Sequence, residues 1–282
     1  MFYSYKNFPI SLESYNLSGQ RNLTYSGYDF VAQNITLNLN PNANFTFPID
    51  GRKPYRSFNT DGITSTIQIN FIGQIPYDNI FYNNILLQNG IKHNYKITCG
   101  NSVFESGYLR SFNTSVDPNN LVQHQAEFIF FSTGVGGFTG SSGTTEYPMV
   151  SNNYNYSFYM HGANTLIAFS DNYNELSRHQ VRRMDINYNA NIQPIYDIGY
   201  SYPSRVIFNR EEIDINIDLD SYDTSIRDMN NVISGTKIVY TGTVGVSTGI
   251  GIFLRSGYLM NKNFNTRPND IINSRLLIKY FI

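Results

Sequence analysis

The sequence has no tryptophan and a single cysteine, Cys99, in 282 residues. One cysteine excludes an intramolecular disulfide and any zinc site built on several thiolates. Charge is also scarce. Asp, Glu, Lys and Arg make up 15% of the chain, where an average domain carries about 25%. The 20 basic and 21 acidic residues nearly cancel, which argues against a protein that grips nucleic acid by bulk positive charge. No apolar run approaches the roughly 18 residues of a transmembrane helix. The opening Met1-Phe2-Tyr3-Ser4-Tyr5-Lys6 lacks a basic segment followed by an apolar run, so no signal peptide is expected. An outer-membrane barrel would suit the alternating strands and the terminal Tyr280-Phe281-Ile282, but the same missing export signal argues against it.

Catalytic signatures are missing as well. His93, His124, His161 and His179 are scattered without metal-ligand spacing and are expected on the surface or in loops. There is no Gly-x-x-x-x-Gly-Lys-Ser/Thr phosphate loop, no dinucleotide fingerprint opening a helix and no nucleophile elbow. Gly245–Gly251 is glycine-rich, but no helix signal follows it, so it reads as a loop or bulged strand. Glu211 and Glu212 fall on opposite faces of a strand and form no acid–base pair by themselves. Arg178, Arg182 and Arg183 read as a solvated face or as a salt bridge between subunits rather than as a nucleic-acid reader. Neither catalytic activity nor a cofactor or metal is expected.

Uncharged polar and aromatic residues take the place of charge. The chain holds 37 asparagines, 23 tyrosines and 20 phenylalanines, a composition that favours strands. A Gly/Ser/Thr-rich, uncharged stretch near the middle, residues 132–150, cannot bury a face of its own and reads as a linker. The text on its two sides matches. Ser106-Gly107-Tyr108-Leu109, Pro118-Asn119 and Phe128-Ile129-Phe130-Phe131 return as Ser256-Gly257-Tyr258-Leu259, Pro268-Asn269 and Ile278-Lys279-Tyr280-Phe281, all at one offset of 150 residues. Upstream, the strand entering Asn42-Ala43-Asn44 matches the one entering Asn189-Ala190-Asn191, and Thr66–Phe71 matches Glu212–Leu219 with the offset drifting to about 145. Two tandem copies are expected, 1–131 and 151–282.

Within each copy, period-2 alternation predicts half-buried antiparallel strands. Ile67, Ile69 and Phe71 would face one core, and Ile213, Ile215, Ile217 and Leu219 the other. One helix per copy is predicted, over 77–90 and 222–235. Asp78 is a candidate N-cap, and Gly90 and Gly235 are C-terminal stops. The expected fold class is all-β with minor α: two β-sandwich or barrel domains, each with one packed helix.

In its order of elements the chain resembles the tail tube proteins of long-tailed bacteriophages and their relatives in contractile injection systems. The resemblance rests on a strand entering Asn-rich text, an aromatic/Gly/Pro loop (Ile195 to Pro203), an alternating strand, a helix, then Ser-Gly-Tyr-Leu, Pro-Asn and a closing strand. It covers most of both copies. It implies a structural virion protein that assembles with itself into stacked rings around a channel for DNA. A two-domain chain would make trimeric, pseudo-sixfold rings. The implied partners are further copies, tape-measure and baseplate or terminator proteins, and DNA passing without specific binding. The implied location is the virion tail, assembled in the host cytoplasm, with no membrane insertion by this chain. The alternatives are another tail component of the same fold (hub, initiator or terminator) or a carbohydrate-binding β-sandwich, for which the lack of tryptophan is unfavourable.

Two residue sets follow as candidates. Glu212, Asp214, Asn216, Asp218 and Asp220 occupy one face of one strand, and Thr66, Gln68 and Asn70 the matching face in the first copy. Such a like-charged face is ordinarily a solvated surface; the sharper expectation is a channel lining, an acidic wall in the second copy that would repel the phosphate backbone. The loops 41–62 and 189–210, with Phe45, Phe47, Tyr55, Phe58, Tyr196, Tyr200 and Tyr202, are expected to reach neighbouring subunits.

Overall fold

In the computed structural model the described residues are 9–16, 28–40, 43–46, 56–59, 64–72, 93–99, 102–131, 160–169, 180–198, 203–221, 232–242, 250–265 and 272–282. They form fourteen strands. The first eight are β1 (Pro9–Asn16), β2 (Tyr28–Asn40), β3 (Ala43–Thr46), β4 (Arg56–Asn59), β5 (Thr64–Ile72), β6 (His93–Cys99), β7 (Ser102–Val116) and β8 (Gln123–Phe130). The rest are β9 (Met160–Phe169), β10 (Gln180–Ile195), β11 (Arg205–Ser221), β12 (Val232–Gly242), β13 (Ile250–Asn265) and β14 (Ile272–Phe281). Twelve of them make one antiparallel sheet, ordered β6-β1-β2-β5-β8-β7-β10-β11-β14-β13-β12-β9, and β3 and β4 pair separately. The fold is all-β among the described residues.

The alternation seen in the sequence sets the two faces. Ile67, Ile69 and Phe71 are buried while Thr66, Gln68 and Asn70 are half-exposed, and β11 alternates in the same way from Ile213 to Leu219. Register makes these faces continuous, because Ile67 lies opposite Phe128, Phe128 opposite Leu109, Phe112 opposite Tyr188 and Tyr188 opposite Ile213. One core cluster runs from Leu12 to Tyr280. Fully burying side chains of this size stabilises by roughly 1.5–3 kcal/mol each before chain entropy is subtracted.

The pairing pattern recurs along the chain. In the first half the neighbours run β2-β5-β8-β7-β6-β1, and in the second β10-β11-β14-β13-β12-β9. β1 also pairs with β2, so β1, β2, β5, β8, β7 and β6 close on themselves as a small barrel. Irregularities recur too. The break in register at Ala32/Asn34 of β2 returns at Val181/Arg183 of β10, and that at Leu109/Ser111 of β7 returns at Leu259/Asn261 of β13. Matched this way, β7 and β8 correspond to β13 and β14 at the offset of 150, and Asn70 of β5 corresponds to Asp218 of β11.

Three expectations need correction. The helix predicted over 222–235 ends in strand: Val232 to Gly235 open β12, where Val232 pairs with Tyr258 and Ile233 with Gly257. Two successive β-branched residues favour the extended chain, and a short helix has little stability of its own to oppose them. The rest of that prediction, the helix over 77–90 and the linker 132–150 lie outside the described residues. The segment 189–210 is mostly not a loop, because β10 and β11 continue as a hairpin in which Ile192 pairs with Phe208 and Ile195 with Arg205. Likewise part of 41–62 is the β3–β4 hairpin, where Asn44 faces Phe58.

Candidate functional site

The face opposite the core is a polar surface spanning seven strands. Across it Asn34, Asn70, Gln125, Asn113, Asn187 and Asp214 form one transverse row from β2 to β11. The next row holds Thr36, Gln68, Glu127, Ser111, Asn189 and Glu212. Two bonds run along these rows: the Asn113 amide donates to Gln125 at 3.2 Å and the Ser111 hydroxyl to the Glu127 carboxylate at 3.4 Å. Two shallow grooves cross the face. One of about 600 Å³ is lined by Asn70, Asn113, Asn187 and Asn216 among others, and one of about 710 Å³ by Arg110, Glu127, Asn189 and Glu212 among others.

The structure brings Thr66, Gln68, Asn70, Glu212, Asp214, Asn216 and Asp218 onto this one face. Asp220 follows the same alternation, but it is buried and bound to Arg182 at 2.6 Å. The wall is not acidic as a field, which corrects the expectation drawn from one strand. Lys279 of β14 lies 2.6 Å from Glu212 and 3.3 Å from Asp214, and Arg275 lies 2.9 Å from Asp218. Arg210 pairs with Glu212 and Arg110 with Glu127. Arg183 holds Asp185 at 2.9 Å, and hydrogen bonding to that carboxylate holds the guanidinium's pKa above its ordinary value. Such half-exposed pairs stabilise by about 0–1 kcal/mol, so their main effect is to cancel charge. The cations were missed because they come from neighbouring strands. Their signal is the outward alternation Arg275, Leu277, Lys279 on the closing strand.

Of the aromatic loop set, Phe45 and Phe58 lie on the β3–β4 hairpin and Tyr196 directly follows β10. Phe47, Tyr55, Tyr200 and Tyr202 lie outside the described residues. Among the histidines, His124 departs from expectation. It is buried between Phe71 and Phe112, ring centroids 5.2 and 5.3 Å away, with Thr114 Oγ1 2.9 Å from its Nδ1. Glu211 and Glu212 do face opposite ways. Glu211 is buried and accepts a 2.7 Å hydrogen bond from the Tyr188 hydroxyl. Among the described residues no group of three or more His, Cys, Asp or Glu is arranged to hold a metal ion. Compared with known proteins, the chain matches no family model and no curated sequence.

Proposed function

We propose that the chain is a structural tail tube subunit made of two tandem units, 1–131 and 151–282, which assembles with itself into stacked rings around a channel for DNA. The observation that carries this proposal is the strand order of the first half repeated in the second, within one sheet whose outer face is polar across both halves. A chain of two like units joined edge to edge has already made one joint of a repeating assembly. The proposed lining is the polar face, with Thr66, Gln68 and Asn70 from one unit and Glu212, Asp214, Asn216 and Asp218 from the other. Its charges cancel in pairs, so it would neither grip phosphates nor strongly repel them. DNA would slide past uncharged amides and hydroxyls and paired charges. Virion location, tape-measure and baseplate or terminator partners, and the absence of catalysis belong to the same proposal.

Electron microscopy of the concentrated, purified protein tests it. Hollow rings or tubes support the proposal. Dispersed single chains, at every concentration and with preassembled tail tips added as nuclei, overturn it.

A further inference from the structure

The joint between the two halves is made by two strand edges. The β7 segment Ser111–Val116 pairs with Met184–Asn189 of β10. Each edge has a counterpart elsewhere in the chain. The counterpart of the β10 edge is β2 from Asn34 onward, and the counterpart of the β7 edge is β13 from Asn261 to Asn265. Among the described strands, β2 over 34–38 has a ladder partner on one side, β5. β13 over 261–265 likewise has a partner on one side, β14. The same joint is thus made once inside the chain, and its two halves stand at opposite ends of the central sheet.

A second observation lies beside the joint. Tyr108 and Phe131 pack together at 6.0 Å, and Phe208, at the far end of the β10–β11 hairpin, packs edge-on against Tyr108 at 5.8 Å. Phe131 is 6% exposed. The counterparts, Tyr258 and Phe281, pack together at 6.2 Å in the same tilted way, yet are 45% and 52% exposed. Arg210 lies over the Phe281 ring at 5.4 Å, but among the described residues no third ring packs on Tyr258 as Phe208 packs on Tyr108. In chain order the β3–β4 hairpin falls between β2 and β5 as the end of β10–β11 falls between their central portions, so by sequence and pairing it is the counterpart of that end in the first half.

We infer that the partner of these edges is a second copy of this chain, added head to tail: β2 of one copy pairs antiparallel with β13 of the next, and its β3–β4 hairpin covers Tyr258 and Phe281. Transferring the internal register places Thr36 opposite Asn265 and Asn38 opposite Asn263. The seam is heterologous, so it propagates and closes into a ring wherever the rotation permits. It also covers two strand edges that have no second ladder partner among the described strands and that would otherwise invite unspecific pairing. This inference rests on the self-assembly proposed above and specifies its contact.

Paired cysteines test the register. In a Cys99→Ser background, Thr36→Cys with Asn265→Cys and Asn38→Cys with Asn263→Cys bring two thiols into facing positions, about 4.5–5.5 Å apart between Cα atoms. Asn34→Cys with Asn261→Cys separates them by six positions, about 20 Å. With a short thiol-specific cross-linker the first two variants should give covalent multimers, and the third should remain at least tenfold less linked. Rings or tubes that form without in-register cross-linking overturn the seam and leave the tube proposal standing. In-register multimers that never form rings or tubes support the seam and overturn the tube. An equal yield from all three variants, or uncross-linked single chains throughout, overturns the seam.

Discussion

Gly107 lies directly beneath the ring of Phe130 across the β7–β8 ladder, so close that a Cβ on the glycine would overlap the ring. Gly257 lies beneath Tyr280 in the same way, with both members of the pair displaced by 150 residues. A ring laid over a strand glycine shields backbone that the missing side chain leaves bare. Ser106, just before Gly107, has φ 58°, an uncommon conformation for a residue with a Cβ. Here β7 stops pairing with β6, and from Ser111 it pairs with β10.

Gly107→Ala should therefore destabilise the chain by about 1–3 kcal/mol, because Phe130 is fully buried and its ring cannot swing aside. Phe130→Leu makes room, so the double variant should recover part of that loss. Chemical denaturation of the four-member cycle measures it, and strict additivity would contradict the contact.

How much of this was legible in the sequence depends on the kind of signal. Ser-Gly-Tyr-Leu and its repeat were visible because a glycine under a ring tolerates little change, and both stretches keep it. The faces of β5 and β11 were visible because burial imposes period 2 on Ile67-Ile69-Phe71 and Ile213-Ile215-Ile217. Alignment across loops was less accurate. Matching Asn42-Ala43-Asn44 with Asn189-Ala190-Asn191 sets an offset of 147, whereas strand register equates Asn34 with Arg183, an offset of 149. Val232–Gly235 read as helix because its spacing suited either state, and pairing with β13 decided it. The cancelled charge of the polar face was hidden because Glu212 and Lys279 meet only after folding, 67 residues apart in sequence.

Gly162 of β9 donates its N–H to Asn120 O at 2.9 Å, and a Cβ there would overlap the carbonyl of Asp117. Backbone cannot yield as a side chain can. Gly162→Ala should part β9 from the β7–β8 turn, and amide exchange at position 162 should speed up at least tenfold. Unchanged protection would show that the contact does not hold that strand.

The Tyr188 hydroxyl is buried and bonded to Glu211, and burial together with the nearby carboxylate raises its pKa well above 10.0. Raising an acid's pKa on folding means that the folded state keeps a proton the unfolded state has lost. The contribution is complete below pH 10 and declines as pH rises above it, by up to about 1.4 kcal/mol per pH unit. Tyr188→Phe should be less stable than the parent at pH 7, yet lose less stability between pH 10 and 11. Parallel curves for the two proteins would contradict this.

If the polar face is a neutral sliding surface, the parent should retain no DNA at low salt. Asp214→Lys with Asp218→Lys adds four units of positive charge there, removes the Asp218 partner of Arg275 and leaves Lys279 with Glu212 alone. That variant should retain DNA in a salt-dependent way, and particles carrying it should deliver DNA more slowly. DNA retention by the parent, or normal delivery by the variant, would count against the lining.

The mass of an assembled ring tests the central claim most directly. Native mass spectrometry of ring-sized particles should give three chains of 32.3 kDa, since each chain would supply two units to a pseudo-sixfold ring. Six chains per ring would contradict the two-unit reading, and a single-chain mass under all assembly conditions would contradict the ring.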